Sequence, residues 1–180
     1  EGAQATLLDI DFGTYPYVTS SHPLSAGVCV GTGVGPMIIS NIIGVAKAYT
    51  TRVGKGPFPT ELDDEIGETI RNKGGEFGTT TGRPRRTGWL DAVIVRQSVR
   101  VNGRSSLAIN KLDTLGGIGD LKVCVAYKKP DGTVIENFPA ALEELADCVP
   151  VYETLKGFDD DISSCRSFDE LPEACKKYIE

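Results

Sequence analysis

The chain has 180 residues, 40% of them hydrophobic, and sets 19 Lys and Arg against 25 Asp and Glu for a formal net charge of -6. That much apolar material supports a packed core, and neither a bilayer-length apolar run nor a signal-peptide pattern is present. With a pI near 4.9 the acidic balance argues against a nucleic-acid partner, and no membrane partner is expected. From the N-terminus, residues 5–11 have the apolar, β-forming centre of a strand, broken by residues 12–17. Residues 21–36 are rich in Ser, Gly and Pro and read as a long loop. Within it, Gly31-Thr32-Gly33-Val34-Gly35-Pro36 has the glycines of a dinucleotide fingerprint without its strand–helix setting. Met37, Ile38, Ile42, Ile43 and Val45 recur at helical spacing behind Pro36, which predicts a helix. A short strand follows over 49–53. Thr60 opens a helix to about Asn72, with acids in its first turn and bases in its last. Residues 89–101 form another helix, closed by Asn102-Gly103. Strands are expected over 106–109 and 122–127, and Pro130-Asp131-Gly132 turns the chain into a short strand over 133–135. A last helix starts near Asp169 and runs to the end. Alternating strands and helices predict an α/β fold with at least one antiparallel hairpin added.

The densest chemistry lies in Gly78-Thr79-Thr80-Thr81-Gly82-Arg83-Pro84-Arg85-Arg86-Thr87-Gly88-Trp89. Neighbouring guanidiniums repel one another, and each offers a planar fork of donors that matches a carboxylate or a phosphate. The threonine hydroxyls and the backbone N–H groups near Gly78 and Gly82 add neutral donors. The segment reads as a loop that binds a small anion, with a solvated basic loop as the alternative. It is not a Walker phosphate loop, because the Lys-Ser/Thr ending is absent.

Asn110-Lys111-Leu112-Asp113 follows directly on the strand expected at 105–109. An Asx-Lys-x-Asp at the carboxyl end of a strand suits guanine recognition. The aspartate accepts two parallel hydrogen bonds, from the ring N1–H and the exocyclic amino group. Adenine offers neither, so the carboxylate would be left desolvated and unpaired. The Lys111 stem can cover the base face while its ammonium stays hydrated, and ligands of α/β sheets lie at strand carboxyl ends. A solvated strand-to-loop turn is the alternative. Asp159-Asp160-Asp161 reads as a solvated turn. Asp9 and Asp11 share a strand face, as an acid/base pair would, or anchor a loop. His22, in a polar run, reads as a surface residue. Five cysteines, odd in number and without a C-x-x-C pair, together with a single histidine, argue against zinc and for reduced thiols.

Several of these segments together resemble the adenylosuccinate synthetase family, the GTP-dependent ligases of purine synthesis. The resemblance covers the whole chain. It rests on Glu1-Gly2-Ala3-Gln4, Asp9-Ile10-Asp11 with Gly13-Thr14-Tyr15-Pro16-Tyr17-Val18-Thr19-Ser20-Ser21, and Lys47-Ala48-Tyr49 with Thr51-Arg52-Val53-Gly54. Gly56-Pro57-Phe58-Pro59-Thr60-Glu61, Thr80-Thr81-Gly82-Arg83 with Arg85-Arg86, Gly88-Trp89-Leu90-Asp91 and Lys111-Leu112-Asp113 continue it.

The resemblance implies coupling of IMP to L-aspartate, with GTP phosphorylating the 6-oxygen of IMP to make a leaving group for the aspartate amine. It implies that Gln4 and Thr19 contact IMP and that Val53 borders the ribose. Thr79, Thr80, Thr81, Gly82, Arg83, Pro84 and Arg85 would grip the aspartate carboxylates, Arg83 also reaching IMP and Arg85 the GTP ribose. Lys111, Leu112 and Asp113 would hold guanine. Pro84 stands where many relatives carry an arginine, which removes one charge and one backbone donor from the loop. The implied fold is part of a P-loop-NTPase-like, mostly parallel sheet flanked by helices, with residues 1–180 a single piece of a larger α/β domain. The family's phosphate loop, its catalytic aspartate that holds magnesium and its catalytic histidine are expected upstream of Glu1, and a second guanine-contacting segment beyond Glu180. No catalytic residue or metal ligand is therefore assigned here, and the piece alone is expected to be inactive. The full-length enzyme is expected to be a cytoplasmic homodimer using Mg2+. A non-catalytic GTP-binding or regulatory module is the alternative.

Overall fold

In place of a strand over 5–11 the chain makes one tight helical turn, Thr6–Leu8, and folds back. The cause is Asp9, whose buried carboxylate accepts the backbone N–H groups of Asp11 and Phe12 at 3.0 Å. Local bonding of this kind competes with a strand ladder. The fold-back is so close that a Cβ at Gly13 would lie 2.3 Å from the carbonyl oxygens of Leu7 and Asp9. These features belong to a computed structural model that describes residues 2–103 and 106–180. Glu1 of the amino-terminal motif and Ser105 of the expected strand lie outside the described residues.

The glycine-rich stretch read as a loop contains helix α1 (Ser25–Thr32), ended by Gly33 in the left-handed region at φ 71°. Long-range bonds select it: the Ser25 N–H donates to Asn102 Oδ1 at 2.9 Å and the Ser25 hydroxyl to the Asn102 carbonyl at 2.8 Å. The helix expected next is instead a short turn at Pro36–Ile38 and then strand β1 (Ile43–Lys47). Apolar runs of parallel strands resemble buried helix segments, and only the partner strand decides between them. The strand expected over 49–53 is β2 (Thr50–Arg52). Helix α2 (Glu65–Gly74) starts later than expected, because Asp64 rather than Thr60 caps it by accepting the Gly67 N–H at 2.9 Å. Thr60 is buried, and its carbonyl accepts the Trp89 N–H at 3.1 Å.

Two short strands follow, β3 (Arg86–Gly88) and β4 (Leu90–Asp91), so Trp89 is a core residue in extended chain rather than the start of a helix. Helix α3 (Ala92–Asn102) is capped by Asp91, which accepts the Val93 and Ile94 N–H groups at 3.0 and 3.1 Å, and it ends on Gly103 as expected. Strands β5 (Ser106–Asn110), β6 (Leu121–Lys128) and β7 (Val134–Ile135) lie where the sequence puts them. Helix α4 (Leu142–Ala146) and strand β8 (Val149–Leu155) were not anticipated. At the C-terminus a short turn at Phe168–Glu170 precedes α5 (Glu173–Ile179), whose start is set by Pro172.

The fold is α/β. Strand β1 pairs parallel with β5, from Ile43 opposite Ser106 to Lys47 opposite Asn110, and β4 pairs parallel with β6. Antiparallel pairing goes beyond the expected β6–β7 hairpin: β2 pairs with β3, and β8 runs along β6 from Leu155 opposite Leu121 to Val149 opposite Lys128. One core cluster joins Tyr49, Ile70, Trp89, Leu112, Leu115, Leu121, Phe158 and Tyr178. Burying such side chains stabilises by about 1.5–3 kcal/mol each. The Tyr178 hydroxyl donates to the Ala48 carbonyl at 2.5 Å, tying the last helix to the end of β1. A second cluster around Val93, Cys124, Tyr127 and Leu145 packs α3 on β6. The cysteines are free thiols, and burial pushes that of Cys124 up to about 12. Among the described residues no helix is long and apolar enough to cross a membrane.

Candidate functional site

The Arg–Thr loop leaves α2 through Gly75, at φ 62°, and closes as a hairpin-like arch. Phe77 bridges Pro84, the Gly78 N–H donates to the Arg83 carbonyl at 2.9 Å, and the Gly82 N–H donates to the Gly78 carbonyl at 2.7 Å. Gly82 sits at φ 65°, where a side chain would be strained. Thr79, Thr80, Thr81, Arg83 and Pro84 are exposed at the tip, and the Arg83 N–H reaches Thr81 Oγ1 at 3.4 Å. The arch therefore displays hydroxyls and one guanidinium that has no ion pair among the described residues.

Its base is built differently. Arg85 Nη1 donates to Glu76 Oε2 at 2.8 Å, while Glu76 Oε1 accepts Lys47 Nζ and the Tyr49 hydroxyl, both at 2.7 Å. Burial opposes the charge on Glu76, but Lys47, Tyr49 and Arg85 outweigh it and hold the carboxyl below its ordinary range. Arg86 grips Glu61 through two bonds of 2.6 and 2.5 Å, donates to the carbonyls of Gly54 and Gly56, and lies 5.4 Å from the Phe58 ring centroid. The three guanidiniums are thus not a shared cluster awaiting one anion. Two of them already have carboxylates, and those partners lie far enough away in sequence to escape a local reading.

At the carboxyl end of β5, Lys111 adopts a left-handed conformation with φ 60° and sends Nζ to the Gly74 carbonyl at 2.9 Å, at the negative end of α2. Leu112 is buried in the core, and the short turn Leu112–Leu115 carries Asp113 outward. The Asp113 carboxylate is exposed and has no hydrogen-bond partner among the described residues. The register that aligns Lys47 with Asn110 brings the carboxyl ends of β1 and β5 together, which is where ligands of parallel sheets lie. Both candidate segments are therefore fastened to the last turn of α2, Lys111 through Gly74 and the loop through Arg71, whose carbonyl accepts the Glu76 N–H and whose Nε donates to the Arg85 carbonyl, both at 2.9 Å.

Gln4 lines a cavity of about 300 Å³ with Lys47, Tyr49, Thr51, Arg52 and Phe58, and also a wider groove of about 790 Å³ along β1 that reaches Asn110. Thr19, Val53 and Arg83 are not among the residues lining that cavity. Thr19 shares a 2.7 Å bond with Ser21 and reaches the Leu8 carbonyl at 3.3 Å; Val53 is exposed beside the glycines that Arg86 holds. Arg52 braces this region by donating to Thr14 Oγ1 at 2.7 Å and to the Lys55 carbonyl at 3.1 Å. Asp9 anchors the turn described above and does not pair with Asp11. His22 Nδ1 lies 3.3 Å from Asp9 Oδ2 and 3.8 Å from Asp11 Oδ2. Burial pushes the Asp9 carboxyl up, but the Phe12 and Asp11 N–H groups and His22 leave it below its ordinary range. Among the described residues no group of three or more His, Cys, Asp or Glu could hold a metal ion. Glu76 and Lys47 are not among the site residues the sequence marks, because Glu76 meets Arg85 and Lys47 only through the fold.

Fold and geometry define an α/β protein with a donor-rich Arg–Thr loop and an Asx-Lys-x-Asp turn at one end of its parallel strands. The sequence pattern of the adenylosuccinate synthetase family matches residues 1–180, and the chain belongs to that family. It is 61% identical over 179 residues to the adenylosuccinate synthetase of Caldanaerobacter subterraneus subsp. tengcongensis, and 62% identical over 179 residues to one from Clostridium botulinum. In both cases 99% of this chain is covered but only 42% of the relative's length. The solved structure of fully ligated adenylosuccinate synthetase from Plasmodium falciparum superposes with a TM-score of 0.95 at 47% identity, covering 99% of this chain and 43% of that one.

Proposed function

We propose that this chain supplies the aspartate, IMP and guanine contacts of a GTP-dependent ligase that joins IMP to L-aspartate and releases GDP and phosphate. What supports the reading is family membership together with one observation: the donor-rich loop and the Lys111–Asp113 turn are both fastened to the end of α2. The arch of Thr79, Thr80, Thr81, Gly82, Arg83, Pro84 and Arg85 offers forked and hydroxyl donors that match two carboxylates, leaving the amine of aspartate unclaimed for attack. Arg83 also reaches IMP and Arg85 the GTP ribose. Gln4 and Thr19 contact IMP, and Val53 borders its ribose. Asp113 accepts the two guanine donors, Leu112 holds the turn in the core, and the Lys111 stem covers the base.

In this reading residues 1–180 are one piece of a larger α/β domain. The groups that activate the 6-oxygen of IMP lie elsewhere in the polypeptide, which works as a cytoplasmic homodimer. The acidic residues described here do not assemble a magnesium cradle, so no step is assigned to that ion through them. Placing transition-state charge stabilisation elsewhere means that the 180-residue piece alone makes no adenylosuccinate. The test is phosphate release by the full-length polypeptide with IMP, GTP, aspartate and magnesium, run beside the piece. Release that needs all three substrates, and that the piece lacks, supports the proposal. GTP binding without IMP-dependent turnover in the full-length polypeptide would favour a regulatory GTP-binding module, and product from the piece would sink the division of labour.

A further inference from the structure

We infer that Glu76 is a positioning residue of the aspartate-binding loop, holding the Arg85 guanidinium by its Nη1 corner and fixing Lys47 at the cavity wall. The inference rests on the proposed role of the loop and adds a residue that does not itself touch substrate. Glu76 is almost fully buried, with a side-chain exposure of 1%, and both of its oxygens are engaged. Oε2 takes Arg85 at 2.8 Å; Oε1 takes Lys47 and Tyr49 at 2.7 Å. Its backbone takes part as well, since the Arg85 N–H donates to the Glu76 carbonyl at 2.9 Å. Arg71 Nε closes the frame by donating to the Arg85 carbonyl at 2.9 Å.

A guanidinium carries five N–H donors, so one bond to Glu76 orients the fork and leaves its remaining donors for a ligand. Lys47 is placed by the same carboxylate and by Thr51 Oγ1 at 3.0 Å, and it lines the cavity that Gln4 also lines. One buried acid thus sets the spacing between the loop and the cavity. It is also the acid that lets two cations approach each other, because it lies between them. A glutamine in its place accepts through one oxygen only, and its NH2 group faces either Arg85 or Lys47 donor to donor. An aspartate keeps the charge but is one methylene shorter and cannot meet both sides in the same geometry.

The test is steady-state kinetics of the full-length polypeptide bearing Glu76→Gln, Arg85→Leu and the pair. Glu76→Gln is expected to raise the aspartate KM about tenfold or more, and the IMP KM by a smaller factor through the loosened Lys47. In the Arg85→Leu background the same change is expected to add less than about twofold, since its route to aspartate is already cut. A merely structural Glu76 would lower the active fraction without this split. An unchanged aspartate KM in Glu76→Gln, or two effects that multiply in full, overturns the inference while leaving the loop assignment intact. An unchanged aspartate KM in Arg85→Leu overturns the loop assignment itself and the inference with it. Should Glu76→Gln fail to fold, Glu76→Asp carries the test: a rise of about threefold or more in aspartate KM is expected, and no rise overturns the inference.

Discussion

At Lys111-Leu112-Asp113 the exposed carboxylate stands on a turn bolted to the core, whereas at residues 78–84 the donors ride on an arch held at its base. Leu112 and Leu115 belong to the main core cluster, and Thr114 between them is buried. The position of Asp113 is therefore set by packing before any ligand arrives. The arch has two backbone bonds of its own across Gly78, and its threonines face solvent. Flat, rigid guanine suits a preset acceptor, while a small, flexible dicarboxylate suits donors that gather around it at an ordering cost met on binding. In both segments a residue proposed to meet ligand stands beside one held by protein partners: Asp113 beside Leu112 in the core, and Arg85 beside Arg86, which grips Glu61.

That division predicts where stability and binding separate. The largest stability effect is expected at Leu112→Ala, about 2–4 kcal/mol from a vacated core site, against less than about 0.5 kcal/mol for Asp113→Asn. Urea unfolding of the two variants measures the contrast, and equal losses would break it. Next comes Arg86→Leu, which strips Glu61 and the Gly54 and Gly56 carbonyls of their donor. About 1–2 kcal/mol is expected, discounted because both partners are partly solvated. Arg83→Leu should leave unfolding within about 0.5 kcal/mol and instead raise the aspartate KM; a stability loss as large as that of Arg86→Leu would erase the distinction between tip and base.

The smallest and most discriminating effect is in pH. The Glu76 carboxyl is held below its ordinary range, so its contribution to stability is complete above about pH 4.3, the unfolded value, and is lost as pH falls through the lower folded value. Asp91 has the opposite sign. Burial raises its carboxyl against the bonds from Tyr127, Ile94 and Val93, so its ionisation costs stability as pH rises from about 3.9 through the higher folded value. The stability difference between wild type and Glu76→Gln should therefore shrink on acidification, and that between wild type and Asp91→Asn should move the other way. Parallel changes in both would contradict the assignment of the two acids.

The sequence made legible what depends on local chemistry. Asn102-Gly103 ended a helix, Pro130-Asp131-Gly132 made a turn, and Lys111-Leu112-Asp113 fell at a strand end. Hidden features were those decided by distant partners. The strand at Ile43–Lys47 looks helical until β5 lies beside it, and α1 is fixed by Asn102, a residue 77 positions away. Asp9 ends an expected strand by accepting the backbone N–H groups of Asp11 and Phe12. In the candidate site the residue types of the loop were visible, but its carboxylate partners were not, because Glu61 reaches Arg86 through its bridge to β3 and Glu76 reaches Arg85 across the base of the arch.

Exchanging the base preference of Asp113 tests its proposed role as a preset guanine reader most directly. In the full-length polypeptide, Asp113→Asn retains an oxygen that accepts the N1–H but presents an NH2 group where guanine also carries one. Xanthine has a carbonyl at that position and matches it. The expected result is a fall of about 100-fold in kcat/KM with GTP, together with a gain in activity with XTP. GTP kinetics left unchanged, with no gain for XTP, would contradict the assignment.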